Sequence, residues 1–295
     1  MKVFIEALGF GVAIGAVVAL GAVGFTVQLG ISNVLNITYG GLMTLAAYIG
    51  YGLLQVGLGI WVVLPVVAAP IALASVVSNR LLLAPLARRG TGFVGVVIVT
   101  VAAGIILQYC IVAIAGPDNV SYGQQSGSTL SGAGFVFTTS QLIIIALTVA
   151  LMFGLHLLLT QTQLGRAMRA TSSNPTVARS CGIRTTRIID ITWLISGALC
   201  GAAGVALAIS TVTFDFTLGP TFLIYMIAAA VLGGIGQPYG AMLGGLVVGI
   251  VSQVAAAYTN PAYQDVYAFL VLIIMLLVRP RGLLGGAANA RRLAG

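Results

Sequence analysis

Between Glu6 and Arg80 the chain carries no charged residue. Charged residues are only 6% of the whole, against roughly 25% in an ordinary soluble domain, which excludes a water-soluble globular fold and points to an integral membrane protein. Lysine is almost absent, Lys2 being the sole one. A Walker A loop needs a lysine beside its glycines to reach the β- and γ-phosphates of a nucleotide, so this polypeptide holds no P-loop of its own. His156 is the single histidine; paired-histidine metal sites are therefore excluded, and near the inner end of a span it reads as an interfacial packing residue. Cys110, Cys181 and Cys200 fall in apolar windows or in a loop and support neither a disulfide framework nor a metal centre. The acids Glu6, Asp118, Asp190, Asp215 and Asp265 all lie near span ends or in loops. Ion-coupled carriers commonly place an ionisable group at mid-membrane, and none is found there. Nothing in the chain resembles a catalytic constellation.

What is present is hydrocarbon, glycine and three clusters of arginine. Apolar windows predict spans near 8–29, 34–58, 60–79, 93–115, 141–160, 188–210, 221–236, 240–258 and 263–279. The fold class is all-α: a polytopic membrane protein of eight or nine transmembrane helices with broken or re-entrant segments, forming one helical domain over residues 1–295. Ala7 to Leu29 is too long for the apolar core of a signal peptide. The basic residues gather at Arg80, Arg88 and Arg89, at Arg166 to Arg187, and at Arg279, Arg281, Arg291 and Arg292. They alternate with apolar segments, so they read as topology signals on the cytoplasmic side and not as a nucleic-acid surface. Parity then places 116–140 outside as an irregular, Gly/Ser/Thr-rich loop. The N-terminus is outside if three full crossings precede Arg80, and inside if one of those segments is re-entrant.

The segment Gly165 to Arg187 holds five of the twelve arginines. An arginine at the centre of a spanning helix costs roughly 2.5–3.5 kcal/mol on insertion scales, so this loop, about 161–187, lies outside the bilayer. Asn174-Pro175 reads as an N-cap followed by proline at the first helical position, and Gly182 sits where a left-handed C-terminal cap would go. A short cytoplasmic helix is predicted between them. Asp190, just beyond, is expected to pair with Arg187 one turn earlier.

Glycine occurs 39 times, and most copies read as close-packing positions, as in Gly240 and Gly244. Two clusters go further. Asn36-Ile37-Thr38-Tyr39-Gly40-Gly41 interrupts the second apolar window, and Gly233-Gly234-Ile235-Gly236-Gln237-Pro238-Tyr239-Gly240 interrupts the seventh and eighth. Freed backbone groups at membrane depth must be buried in protein or line a wet cavity, and such breaks point to a transport path. Asn36, Thr38, Tyr39, Gly40 and Gly41, with Gly234, Gln237 and Tyr239, are the candidate path residues; a plain turn near a membrane face is the alternative for the second cluster.

Several blocks resemble one family. Gly165-Arg166-Ala167-Met168-Arg169-Ala170, Asn174-Pro175, Ala178-Arg179 and Gly182-Ile183 are similar to the coupling loop of permease subunits of the branched-chain amino acid ABC importers, the LivH-type chain in particular. Leu35-Asn36 with Gly40 and Ala47-Tyr48, Gly233-Gly234-Ile235-Gly236 with Pro238, and Arg279-Pro280-Arg281-Gly282-Leu283-Leu284-Gly285 in the tail (about 280–295) resemble its other motifs. The resemblance implies a multi-pass permease of a prokaryotic plasma (inner) membrane, paired with a second, LivM-like permease. It further implies two cytoplasmic ATPase subunits that bind the ATP, and an extracytoplasmic substrate-binding protein. Arg166, Arg169, Asn174, Pro175, Arg179 and Gly182 would carry the ATPase contact, and no cofactor would reside in this chain. Tyr39-Gly40-Gly41 departs from the family's usual polar and acidic residues there, so urea or short amides stand beside hydrophobic amino acids as substrates. A stand-alone carrier or channel is the reading from another class.

Overall fold

The computed structural model describes residues 2–123, 129–132, 135–211, 213–278 and 282–284. Twelve α-helices follow in order: α1 (Lys2–Ser32), α2 (Thr38–Gln55), α3 (Ile60–Ser78), α4 (Ala84–Arg88), α5 (Phe93–Ala115), α6 (Thr139–Gln161), α7 (Gln163–Ser173), α8 (Pro175–Ser180), α9 (Thr185–Ser210), α10 (Leu218–Gly233), α11 (Pro238–Tyr258) and α12 (Gln264–Val278). Nine of these, all but α4, α7 and α8, coincide with the nine apolar windows, and six are long and apolar enough to cross a bilayer unaided. In hydrocarbon every backbone amide must be satisfied within its own helix, which is why uninterrupted apolar runs fold this way. At 16 and 15 residues, α10 and α12 reach only about 24 and 22 Å at 1.5 Å per residue, short of a hydrocarbon core of about 30 Å.

The helices α1 and α9 form the centre, with 83% and 78% of their most apolar window buried, whereas α5 and α6 lie at the periphery with 11% and 17%. α1 runs antiparallel to α11 and packs most extensively on it. A Cβ added at Gly11 would lie 2.8 Å from Cα of Ile250, one at Gly15 3.1 Å from Cα of Leu246, and one at Gly245 2.5 Å from Cα of Ala19. The same device joins α9 to α3, where Gly197 faces Ser75 and Ala72 and Gly201 faces Ala68 and Ile71.

One contact orients the bundle. Ser172 Oγ, in the arginine segment, donates to the Gly30 carbonyl at 2.6 Å, so the end of α1 lies at the arginine-bearing end and its start at the opposite, distal end. At the distal end Val120 and Phe214 exchange backbone hydrogen bonds of 2.9 Å, and Tyr122 donates to the Ala47 carbonyl at 2.8 Å. The ring of Phe214 meets those of Tyr48 and Tyr122 edge-on.

Three expectations are corrected. Residues 116–140 are not irregular throughout: Thr129–Gly132 (β1) pairs antiparallel with Phe135–Thr138 (β2), after which Thr138 and Gln141 cap α6 reciprocally. The first break is Asn33–Ile37, and Tyr39, Gly40 and Gly41 are already helical; Gly40 allows the approach of Gly219, and Gly41 that of Gly104 and Leu107. Asp190 pairs with Arg80 and not with Arg187: Arg80 Nη2 and Nε donate to Asp190 Oδ2 at 2.7 and 3.1 Å, and Asn79 Nδ2 donates to Oδ1 at 3.3 Å. Arg80 stands in a π-helical turn (Asn79–Leu83) that extends α3, which swings its guanidinium onto α9. Arg279, Arg281, Arg291 and Arg292 lie outside the described residues.

The glycine contacts yield a direct test. Gly249 faces Gly15 and the Gly11 carbonyl, whereas Gly52 faces open space. Gly249→Leu should lower the melting temperature in detergent by an amount equivalent to roughly 1–3 kcal/mol, the usual overpacking penalty, while Gly52→Ala should leave it unchanged. Equal melting temperatures for the two variants would show that the α1/α11 contact is not a close one.

Candidate functional site

The arginine segment folds into two helices, one more than its caps alone suggested. In α7, Thr162 Oγ1 accepts from Gly165 N at 3.0 Å as the N-cap. Met168 and Thr171 are buried on one side, and Arg166 and Arg169 lie on the exposed side. Alternation at helical period, not a cap signal, is what marks this helix in the sequence. Asn174 then ends α7 and starts α8, its Oδ1 accepting from Thr176 N at 3.0 Å and Val177 N at 3.1 Å, with Pro175 at the first position. At the other end, Ile183 N donates to the Ala178 carbonyl at 3.0 Å and Gly182 N to that of Arg179 at 2.9 Å. This pair of bonds needs a left-handed residue between them, and Gly182 supplies it at φ 82°.

The outward face of α8 carries Val177, 56% exposed, and Arg179. Arg166, Arg184 and Arg187 are exposed nearby, and the Arg80–Asp190 bridge is the only ion pair among the described residues. Arg169 is different: its guanidinium donates to the Leu159 carbonyl at the end of α6, where the helix dipole places partial negative charge. The arginine segment is thus tied to α6 through Arg169 and to α1 through Ser172.

The two breaks occupy distinct environments. At the first, Asn33 takes φ 53° and the chain turns back into the bundle. Thr100 Oγ1 donates to the Leu35 carbonyl at 3.3 Å, and Thr38 Oγ1 donates to the Thr100 carbonyl at 2.7 Å. Tyr39 is fully buried, its hydroxyl donating to the Gly21 carbonyl at 3.1 Å. Gly21 lies nine residues before Gly30, about 14 Å along α1 from the arginine-bearing end, so α2 begins well inside the bundle. Asn36 is also fully buried, and neither atom of its amide has a hydrogen-bond partner. Close to Tyr39, Gln28 Oε1 accepts from Ser196 Oγ at 3.0 Å while its Nε2 is unpartnered. Neither Gln28 nor Ser196 stands in either of the two break clusters, and no local pattern in the sequence pairs them.

The second break lies at the arginine-bearing end. Gly234 and Gly236 have φ 105° and 79°, and Gly236 abuts Gly30. Leu283 N donates to the Leu232 carbonyl at 2.8 Å, which seals the end of α10 with the tail. Gln237 and Tyr239 line a cavity of about 340 Å³ with Arg169, Ser172 and Thr160 and with apolar residues such as Val27 and Met168. The Tyr239 hydroxyl is 2.7 Å from His156 Nδ1. Asn36, Thr38 and Tyr39 do not line that cavity, so the structure keeps the two candidate groups apart.

Nine apolar helices, two breaks and a capped amphipathic segment at one end, among the described residues, are the architecture of a polytopic membrane protein. The sequence matches the model of the family described as branched-chain amino acid transport system, permease component, over residues 8–276. It is 32% identical to the high-affinity branched-chain amino acid transport system permease protein BraD of Pseudomonas aeruginosa and 30% identical to LivH of Escherichia coli, each over 96% of both chains. It is also 27% identical to LivM of Salmonella typhimurium, over 88% of this chain and 66% of that protein. No solved structure matches. The chain belongs to this permease family: it is a membrane-spanning subunit of an ABC importer and not itself an enzyme.

The double duty of Asn174 gives a local test. Asn174→Ala removes a cap worth about 1 kcal/mol, whereas Asp can replace it. Trypsin should therefore cut after Arg179 several-fold faster in Asn174→Ala than in Asn174→Asp or the unaltered chain. Equal rates in all three would mean that the cap does not hold α8.

Proposed function

We propose that this subunit imports branched-chain or other hydrophobic amino acids across a prokaryotic plasma (inner) membrane. It pairs with a second, LivM-like permease, and two ATPase subunits, which bind the ATP, dock at the arginine-bearing, cytoplasmic end. A substrate-binding protein delivers the solute to the distal end. The observation that carries this reading is α8: a helix capped at both ends, presenting an apolar residue beside unpaired arginines, in a chain with no P-loop lysine. The names of the relatives support the cargo, and the likeness to a LivM chain supports pairing within one architecture.

In this reading Arg166 and Arg179 face acidic residues of the ATPase, Asn174, Pro175 and Gly182 hold α8 in shape, and Arg169 fastens the segment to α6. The solute passes the first break. Asn36 offers an uncommitted amide there, while Thr38 and Tyr39 anchor the start of α2 through their side-chain hydroxyls and Gly40 and Gly41 let α10 and α5 approach it closely. Gln237 and Tyr239 border the 340 Å³ cavity and Gly234 turns the chain just before it, and all three stand beside this route instead of on it.

Two measurements test the proposal. In liposomes holding both permeases and both ATPase subunits and supplied with the binding protein, Val177→Asp with Arg179→Glu should cut leucine uptake at least tenfold while basal ATP hydrolysis by the soluble ATPase persists; unchanged uptake would sink the docking assignment. Asn36→Cys should react with a water-soluble thiol reagent during turnover and be inert at rest. Inertness in both conditions would remove Asn36 from the route.

A further inference from the structure

A second cavity, of about 510 Å³, runs along the outside of the bundle between α1, α6 and α11. Its wall is almost wholly hydrocarbon, with Ala16, Ala19 and Val23 from α1, Val149 and Phe153 from α6, and Leu246 from α11. Val149 and Phe153 are more than 60% exposed, so the groove is open along its side. From Val12 to Val23 it extends about 16 Å along α1, close to half of a hydrocarbon core of about 30 Å. At one end Leu159, Pro238 and Tyr239 belong equally to the 340 Å³ cavity that is also lined by Arg169, Ser173 and Gln237. The two compartments therefore adjoin across shared wall residues, one apolar and a leaflet deep, the other mixed in polarity, carrying one cation and lying at the arginine-bearing end.

We infer that this paired cavity is a binding site for an anionic phospholipid of the arginine-side leaflet. One acyl chain lies in the α1/α6/α11 groove, and the phosphate is held by the Arg169 guanidinium with donors from Ser173 and Gln237. The length decides against a transported amino acid as occupant, because a four-carbon side chain leaves most of a 16 Å groove unfilled. The single cation decides for an anionic headgroup: Arg169 spends one donor on Leu159 and a guanidinium has five. Basic pockets between spanning helices on the cytoplasmic face suit such lipids on electrostatic grounds. Since Arg169 stands on α7, the bound lipid would bear directly on the coupling segment.

Native mass spectrometry of the full chain, purified in mild detergent and offered phosphatidylglycerol or phosphatidylcholine, tests the site. The unaltered chain should retain one phosphatidylglycerol at least fivefold over phosphatidylcholine. Arg169→Gln should abolish that preference and Arg169→Lys should keep most of it. Val149→Trp, at an exposed position that the fold does not need, should fill the groove and reduce retention of both lipids several-fold. Equal retention of the two lipids by the unaltered chain would overturn the inference, as would retention untouched by Val149→Trp. Displacement by millimolar leucine would reassign the groove to the solute. Loss of the lipid in the complex with the second permease would reassign it to that subunit.

Discussion

Close approach of helix backbones is the constraint on which this structure depends. In a bilayer the lipid tails are as apolar as leucine, so burying hydrocarbon against hydrocarbon gains little, and association relies on packing at short range. The α1/α11 and α9/α3 seams meet this with glycine and alanine, at Gly11, Gly15, Gly245 and Gly249 in one and Gly197 and Gly201 in the other. With the two most buried helices fixed in this way, α2 and α10 are held against α9 and α11 through Gly204 against Met43 and Gly240 against Gly233. The short length of α10 is tolerated because both of its ends are covered by other backbone: Gly40 at one, Gly240 and the tail at the other.

The same economy of space ties the arginine segment to the core. Ser172 meets Gly30 at the end of α1, Gly30 abuts Gly236 in the second break, and Gly282 lies against Gly234. These contacts link α7 to the end of α1 and α1 to the α10–α11 junction without any long flexible side chain between them. These are contacts between rigid helix ends, the kind of element that moves as a body.

Much of the fold was legible in the sequence. All nine apolar windows coincide with helices because an uninterrupted apolar run of that length has no other way to satisfy its backbone in lipid. The caps of α8 were legible because Asn, Pro and Gly at those spacings are dictated by local geometry. The first break was placed a few residues late, since glycines at 40 and 41 look like helix breakers although they serve as contact surfaces. The Asp190 partner was missed because Arg80 is 110 residues away, and no local pattern records such a distance. The buried Gln28–Ser196 pair escaped for the same reason.

By itself the sequence determined which segments are apolar helices and which short stretches between them carry the charge, since hydropathy and charge act residue by residue. It determined the α8 helix, whose ends are set by neighbours three or four positions apart, and the lack of a nucleotide loop, which needs a lysine. Only the tertiary structure decided which polar groups are spent and which are free. Tyr39 is committed to a backbone carbonyl, Arg169 to the end of α6, and Asn36 to nothing. Those outcomes depend on which helices stand within 3 Å of one another, and that is settled by packing between segments far apart in the chain.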